Sequence, residues 1–244
     1  MPAGSSSWVV FCLVFVLAHL VQGVTGFGAV VLTISALAFL FPVKLLVPVL
    51  VVISLVQVIW FAFVGRRRIH WGHAKIILLL AFAGLPLGYL VYRLLPSGSL
   101  KIALGVFVVL VAAANLFGLR IKIGIPRFCY YGLNVLGGIF QGALATGGPL
   151  LIIYAARMLE DKAAFRATLA LVWIVLDSIL CITYLATGVF SDPMLPMIGL
   201  GAGCMALGTV LGMLVHRRIP QKPFRILVFV LLLISGVALL VPLG

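Results

Sequence analysis

The stretch Gln141-Gly142-Ala143-Leu144-Ala145-Thr146-Gly147-Gly148-Pro149 is a polar, glycine-rich interruption inside a long apolar run. That run, Cys129 to Met158, is 30 residues long. As one straight helix it would reach about 45 Å, too long for a hydrocarbon core of about 30 Å without a large tilt. An open backbone at membrane depth is tolerated only where protein or a polar cavity surrounds it, so the interruption marks a broken helix with a purpose. An echo stands near the start, Gln22-Gly23-Val24-Thr25-Gly26-Phe27-Gly28, inside the 33-residue run Trp8 to Leu40. That run would reach about 50 Å unbroken.

Outward from these two breaks, six runs have the length of a single crossing: Leu45 to Val64, Ile76 to Leu95, Ile102 to Leu119, Ala167 to Thr187, Pro196 to Val215 and Ile226 to Leu243. With 65% hydrophobic and 9% charged residues over 244 positions, the chain has too few polar groups to cover a soluble surface. The composition therefore calls for an all-α integral membrane protein, a single membrane domain over residues 1–244.

Against 17 Lys and Arg stand only four acids. The basic residues lie in short loops between apolar runs, which is where they orient a membrane protein and meet anionic lipid head groups. Nucleic acid is not an expected partner. A small anionic substrate, membrane lipid and a second copy of the chain are. Cys12, Cys129, Cys181 and Cys204 show no metal or redox spacing, and His70 with His73 lacks carboxylate or thiolate company, so neither metal nor cofactor is expected. Met1 to Ser7 carries no Lys or Arg, which argues against a cleaved signal peptide.

The chain repeats itself. Gly84, Gly88, Arg93, Pro96, Lys101 and Ile102 recur as Gly208, Gly212, Arg217, Pro220, Arg225 and Ile226, at a constant offset of 124 residues. The Gln-Gly and Thr-Gly pairs recur at offsets of 119 and 121. A duplication explains this, with repeat 1 over 8–119 and repeat 2 over 127–243. Loop charge then orients the repeats. If each long run crossed the membrane once, the basic residues would divide almost evenly between the two sides. If each is a re-entrant hairpin, only Lys44, Arg93 and Lys101 fall on one side and all the others on the opposite, cytoplasmic side. The expected architecture is two inverted repeats, each a re-entrant hairpin plus three spans, with both termini outside the cytoplasm.

Polar groups within hydrocarbon are candidate sites until packing accounts for them. Gln22, Gly23, Thr25, Gly26, Phe27 and Gly28 in the first break, and Gln141, Gly142, Thr146, Gly147, Gly148 and Pro149 in the second, are the candidate substrate-binding residues. Glycine removes side chains, so backbone N–H groups at the start of a half-helix can face an anion, and the helix dipole favours it there. Pro149 suits a first helical turn. Close helix packing is the competing use of these glycines, and for Gly84, Gly88, Gly208 and Gly212, which lack polar neighbours, it is the favoured one. Asp177, the only acid deep in an apolar run, is the candidate proton carrier or partner of an internal cation, whereas His19 and Asn134 are expected to be satisfied by hydrogen bonds.

The first break, then Gln141-Gly142 followed by Gly147-Gly148-Pro149, then Lys162, Arg166, Ala167 and Thr168 leading into an apolar helix, resembles the sulfite exporter TauE/SafE family of membrane permeases. The resemblance implies a secondary transporter, in an inner or plasma membrane, of small sulfur-containing anions such as sulfite, sulfoacetate or other organosulfonates. It would work by alternating access, with the two breaks forming the anion site. Arg166 could pair such an anion through its planar fork or could simply mark the membrane boundary, and Thr168 lies beside it. Phe27 and Gly28 stand where the second break has Gly148 and Pro149, so Phe27 reads as an apolar wall or gate. An uncoupled anion channel is the alternative. A membrane enzyme or assembly factor fits less well, because Asp177 and His19 are the only titratable acid or base in the apolar runs.

Overall fold

The structure is a computed structural model that describes residues 5–25, 28–117, 126–215 and 221–241. These residues are helical almost throughout and contain no strand. In chain order the helices are α1 (Ser5–Thr25), α2 (Ala29–Leu37), α3 (Val43–Gly65), α4 (Trp71–Leu94), α5 (Ser97–Leu116), α6 (Arg127–Leu144), α7 (Gly148–Met158), α8 (Lys162–Ala186), α9 (Met194–Val215) and α10 (Gln221–Leu240). A single 3-10 turn, Arg66–Arg68, links α3 to α4.

Both long runs are broken where the glycines fall. α1 stops at Thr25 and α2 starts after Gly28, whose φ of 101° is one that side-chain-bearing residues rarely adopt. α6 stops at Ala145, which takes the left-handed conformation at φ 55°, and α7 starts at Gly148 with Pro149 in its first turn. At nine and eleven residues, α2 and α7 are too short to cross a bilayer.

Among the described residues six helices are long and apolar enough to cross: Ser6–Val24, Val43–Arg68, Trp71–Leu94, Ser97–Leu116, Ala163–Ala186 and Met194–Val215. Five of them correspond to runs that the sequence marks as single crossings. The sixth is α1, which the sequence takes as one arm of a hairpin and which by itself has the length of a span. Large apolar side chains such as Leu13, Leu79, Phe82, Leu110 and Leu214 remain exposed, as lipid-facing positions require.

The chain forms two compact units. One is Met1–Val47, Pro96–Lys122 and Pro193–Gly244, and the other is Pro48–Leu95 and Ile123–Asp192. In the first, α9 lies on α1: a Cβ at Gly208 would strike the Val16 carbonyl, and one at Gly212 the Leu20 carbonyl. α5 and α10 meet at Gly105 and Gly236. In the second, α4 lies on α6: a Cβ at Gly84 would strike the Val135 carbonyl, and one at Gly88 the Ile139 carbonyl. Val135 and Ile139 are Val16 and Leu20 shifted by 119 residues, so the same glycine contact is built twice. Small residues let helices approach to backbone contact where no hydrophobic effect drives them together. Each compact unit takes elements from both sequence repeats, so the repeat and the packing unit are different divisions of the chain.

Candidate functional site

In the second unit, α7 folds back along α6. Leu151 in the first turn of α7 packs against Gly137, and a Cβ at Gly147 would strike the Gly137 carbonyl. The fold-back is fastened by Gln141, whose Oε1 accepts a hydrogen bond from the Gly147 N–H at 3.1 Å. The other end of the same amide donates from Nε2 to Asp177 Oδ1 on α8 at 2.7 Å. A backbone N–H can only donate, so it fixes which end of the amide is oxygen. That in turn makes Oδ1 of Asp177 an acceptor and leaves Oδ2 as the atom free to carry a proton or face a cation.

Asp177 is fully buried. Its Oδ2 has no hydrogen-bond partner among the described residues, and neither has Thr146 Oγ1, one residue from the capped amide. The Ser54 hydroxyl of α3 lies beside the same carboxyl. Buried polar atoms are nearly always paired, so these two set the second break apart from ordinary helix packing. The first turn of α7 adds the positive end of a helix dipole, with its Leu150 and Leu151 N–H groups donating to the Gly147 carbonyl and Pro149 contributing no N–H.

The first break is fastened in the same way. Gln22 Oε1 accepts from the Ala29 N–H at 3.1 Å, at the start of α2. Gly23 and Gly142, the glycines after the two glutamines, admit neighbouring backbone: Gly212 and the Thr209 carbonyl at Gly23, the Leu85 carbonyl at Gly142. Gly148 rests against Trp173 of α8. Gly26 and Phe27 lie outside the described residues, as does the side chain of Thr25.

Arg166 and Thr168 sit near the start of α8, about 14 to 17 Å along the helix from Asp177. The Thr168 hydroxyl accepts from the His70 N–H at 3.0 Å and so holds the beginning of α4. Arg166 lies over the Phe61 ring at 5.3 Å. The structure therefore brings Gln141, Gly147 and Asp177 together with Thr146 beside them, and places Arg166 and Thr168 at the other end of α8. His19 Nδ1–H donates to the Phe15 carbonyl and Asn134 Nδ2 to the Tyr130 carbonyl, each one turn back on its own helix. Ser54 is a site neighbour that sequence reading misses, although a lone serine in an apolar run, matched by Ser178 at the repeat offset, is a signal for it. Among the described residues no cluster of three or more His, Cys, Asp or Glu could hold a metal.

Helices of crossing length are interrupted here beside a buried carboxylic acid. The chain belongs to the sulfite exporter TauE/SafE family, whose family model matches residues 11–239, nearly its whole length. That family consists of membrane permeases that export anions, not of enzymes. No curated protein and no solved structure matches the chain.

Proposed function

We propose that this protein is a secondary transporter of small sulfur-containing anions, sulfite, sulfoacetate or other organosulfonates, and that a proton bound at Asp177 Oδ2 is coupled to their movement by alternating access. The observation that carries this reading is the Gln141 bridge, which ties the start of α7 to Asp177 and leaves Oδ2 and Thr146 Oγ1 unpaired. An anion at the start of α7 and a proton on the neighbouring carboxyl would each change the electrostatic setting of the other, which is the physical content of coupling.

The two long runs are read as re-entrant hairpins in inverted repeats of an inner- or plasma-membrane protein, with both termini outside the cytoplasm. Three features support this: the doubled glycine contact, the doubled glutamine cap, and the loop-charge asymmetry. Purified protein in liposomes should move sulfite or a sulfonate, and should do so faster under a pH gradient. If no anion of this class moves under any pH gradient or voltage, the proposal fails. Counterflow against a concentration gradient separates it from an uncoupled channel, and Asp177→Asn should abolish the response to a pH gradient while leaving exchange.

A further inference from the structure

A groove of about 310 Å³ opens on the surface of the second compact unit, between α4 and α8. Leu78, Leu79 and Phe82 of α4 and Val175 and Leu176 of α8 line it, with Lys75 of α4 at one end. Leu79 and Phe82 are more than half exposed, so the groove faces the hydrocarbon of the bilayer. From Lys75 to Phe82 it follows α4 for about 10 Å. Trp71, exposed one turn before Lys75 on the same face, marks the membrane–water boundary at that end. Lys75 is itself exposed and makes no ion pair among the described residues. Its stem lies in the groove, from which its ammonium can reach the head-group layer. The other repeat lacks these groove-forming side chains: at the offset of 124 residues, Lys75, Leu78, Leu79 and Phe82 become Gly199, Ala202, Gly203 and Ala206 on α9. Ordinary contact with lipid would suit bulky apolar residues at both places, so the lysine and its apolar track are particular to α4. In the inverted arrangement proposed above, Lys75 meets the cytoplasmic leaflet, whose surface is negative, and Gly199 meets the other leaflet.

We infer that this groove binds one anionic phospholipid, with its phosphate on the Lys75 ammonium and one acyl chain lying between α4 and α8. In a bilayer the chain gains nothing by leaving water, because its surroundings are already apolar. Packing in the groove therefore sets where the chain lies, and the lysine sets which lipid it belongs to. The groove reaches α8 at the two residues before Asp177, but the site does not depend on what Asp177 carries. It goes beyond the transport reading and stands or falls separately from it.

The test uses the full chain purified in detergent, with lipid binding measured by native mass spectrometry. Phosphatidylglycerol and phosphatidylcholine of the same acyl chains are the probes, and phosphatidylglycerol should bind the more tightly. Lys75→Gln should weaken phosphatidylglycerol about fivefold, the effect of one basic residue at a membrane surface, and leave phosphatidylcholine within twofold. Leu79→Trp, at an exposed position, should fill the groove and weaken both lipids. Arg67→Gln removes an exposed charge outside the groove and should change phosphatidylglycerol binding less than twofold. Variants are compared at equal helicity by circular dichroism, so that a loss of binding is not a loss of fold. Equal losses in Lys75→Gln and Arg67→Gln would mean diffuse attraction to a basic surface and overturn the site. Unchanged lipid binding in Leu79→Trp overturns it too. A dimer that Leu79→Trp dissociates would make the groove an interface between copies of the chain, which also overturns the lipid site.

Discussion

Gln141 has both ends of its amide engaged, so its removal strands two buried partners at once. Gln141→Leu should lower stability by about 1 to 3 kcal/mol, because the Gly147 N–H and Asp177 Oδ1 would both lose their hydrogen bonds in a buried setting. Thermal unfolding in detergent checks this, and an unchanged midpoint would show that water replaces the amide. Ala145 offers a test of opposite sign. Its left-handed conformation carries a steric cost of about 1 kcal/mol that glycine avoids, so Ala145→Gly should leave stability equal or raise it. Gly147→Ala should cost about 1 to 3 kcal/mol through overpacking, since its Cβ would meet the Gly137 carbonyl and the Gln141 side chain. At this scale the candidates were legible in the sequence because a polar residue in an apolar run is conspicuous by itself. That Gln141 holds Asp177, and that Thr168 holds His70, was not legible, because those partners are 36 and 98 residues apart.

Helices begin and end for reasons of two kinds, and hydropathy shows only one of them. The apolar runs place α3 and α9 within a residue or two of their observed ends, but α4 begins at Trp71 and α8 at Lys162, each five residues before its apolar run. Hydrogen bonding continues a helix beyond the hydrocarbon until a cap stops it. For α8 the cap is Asp161, whose carboxylate accepts from the Ala164 N–H at 3.0 Å and the Ala163 N–H at 3.4 Å. The Ala164 bond above all, with Ala163 and the neighbouring Arg68, holds this exposed carboxyl below the usual carboxylate range. A depressed folded-state pKa means the stabilisation is present above the unfolded value of about 3.9 and is lost as pH falls through the folded value. Asp161→Ala should therefore lower thermal stability at pH 7, and the difference from the unsubstituted protein should shrink on acidification below pH of about 4. A difference independent of pH would show that the ionised cap contributes nothing. Between helices, the α4–α6 seam is the most restrictive element: Gly88→Leu should force the pair apart and reduce the yield of folded protein far more than the same change at Gly98, where a Cβ meets nothing.

At the scale of the whole molecule, the proposed inverted arrangement makes a test that needs no substrate. A cysteine at Ser191 should react with a membrane-impermeant maleimide applied outside the cell, and one at Arg67 should be protected until the membrane is opened. Both positions are exposed in the structure, so access to the protein surface does not limit either reaction. Equal labelling of the two overturns the arrangement. The sequence by itself determined that the chain is a helical membrane protein with two broken runs and a duplicated pattern, because hydropathy, glycine breaks and repeat offsets are local or periodic properties of a chain. It also carried the family, through residues 11–239. Only the tertiary structure decided that each compact unit draws on both repeats, that the glutamines fasten the breaks, and that Asp177 and Thr146 each keep an oxygen with no partner among the described residues. Packing between distant segments decides which buried polar groups find partners, and no window along the chain contains that information.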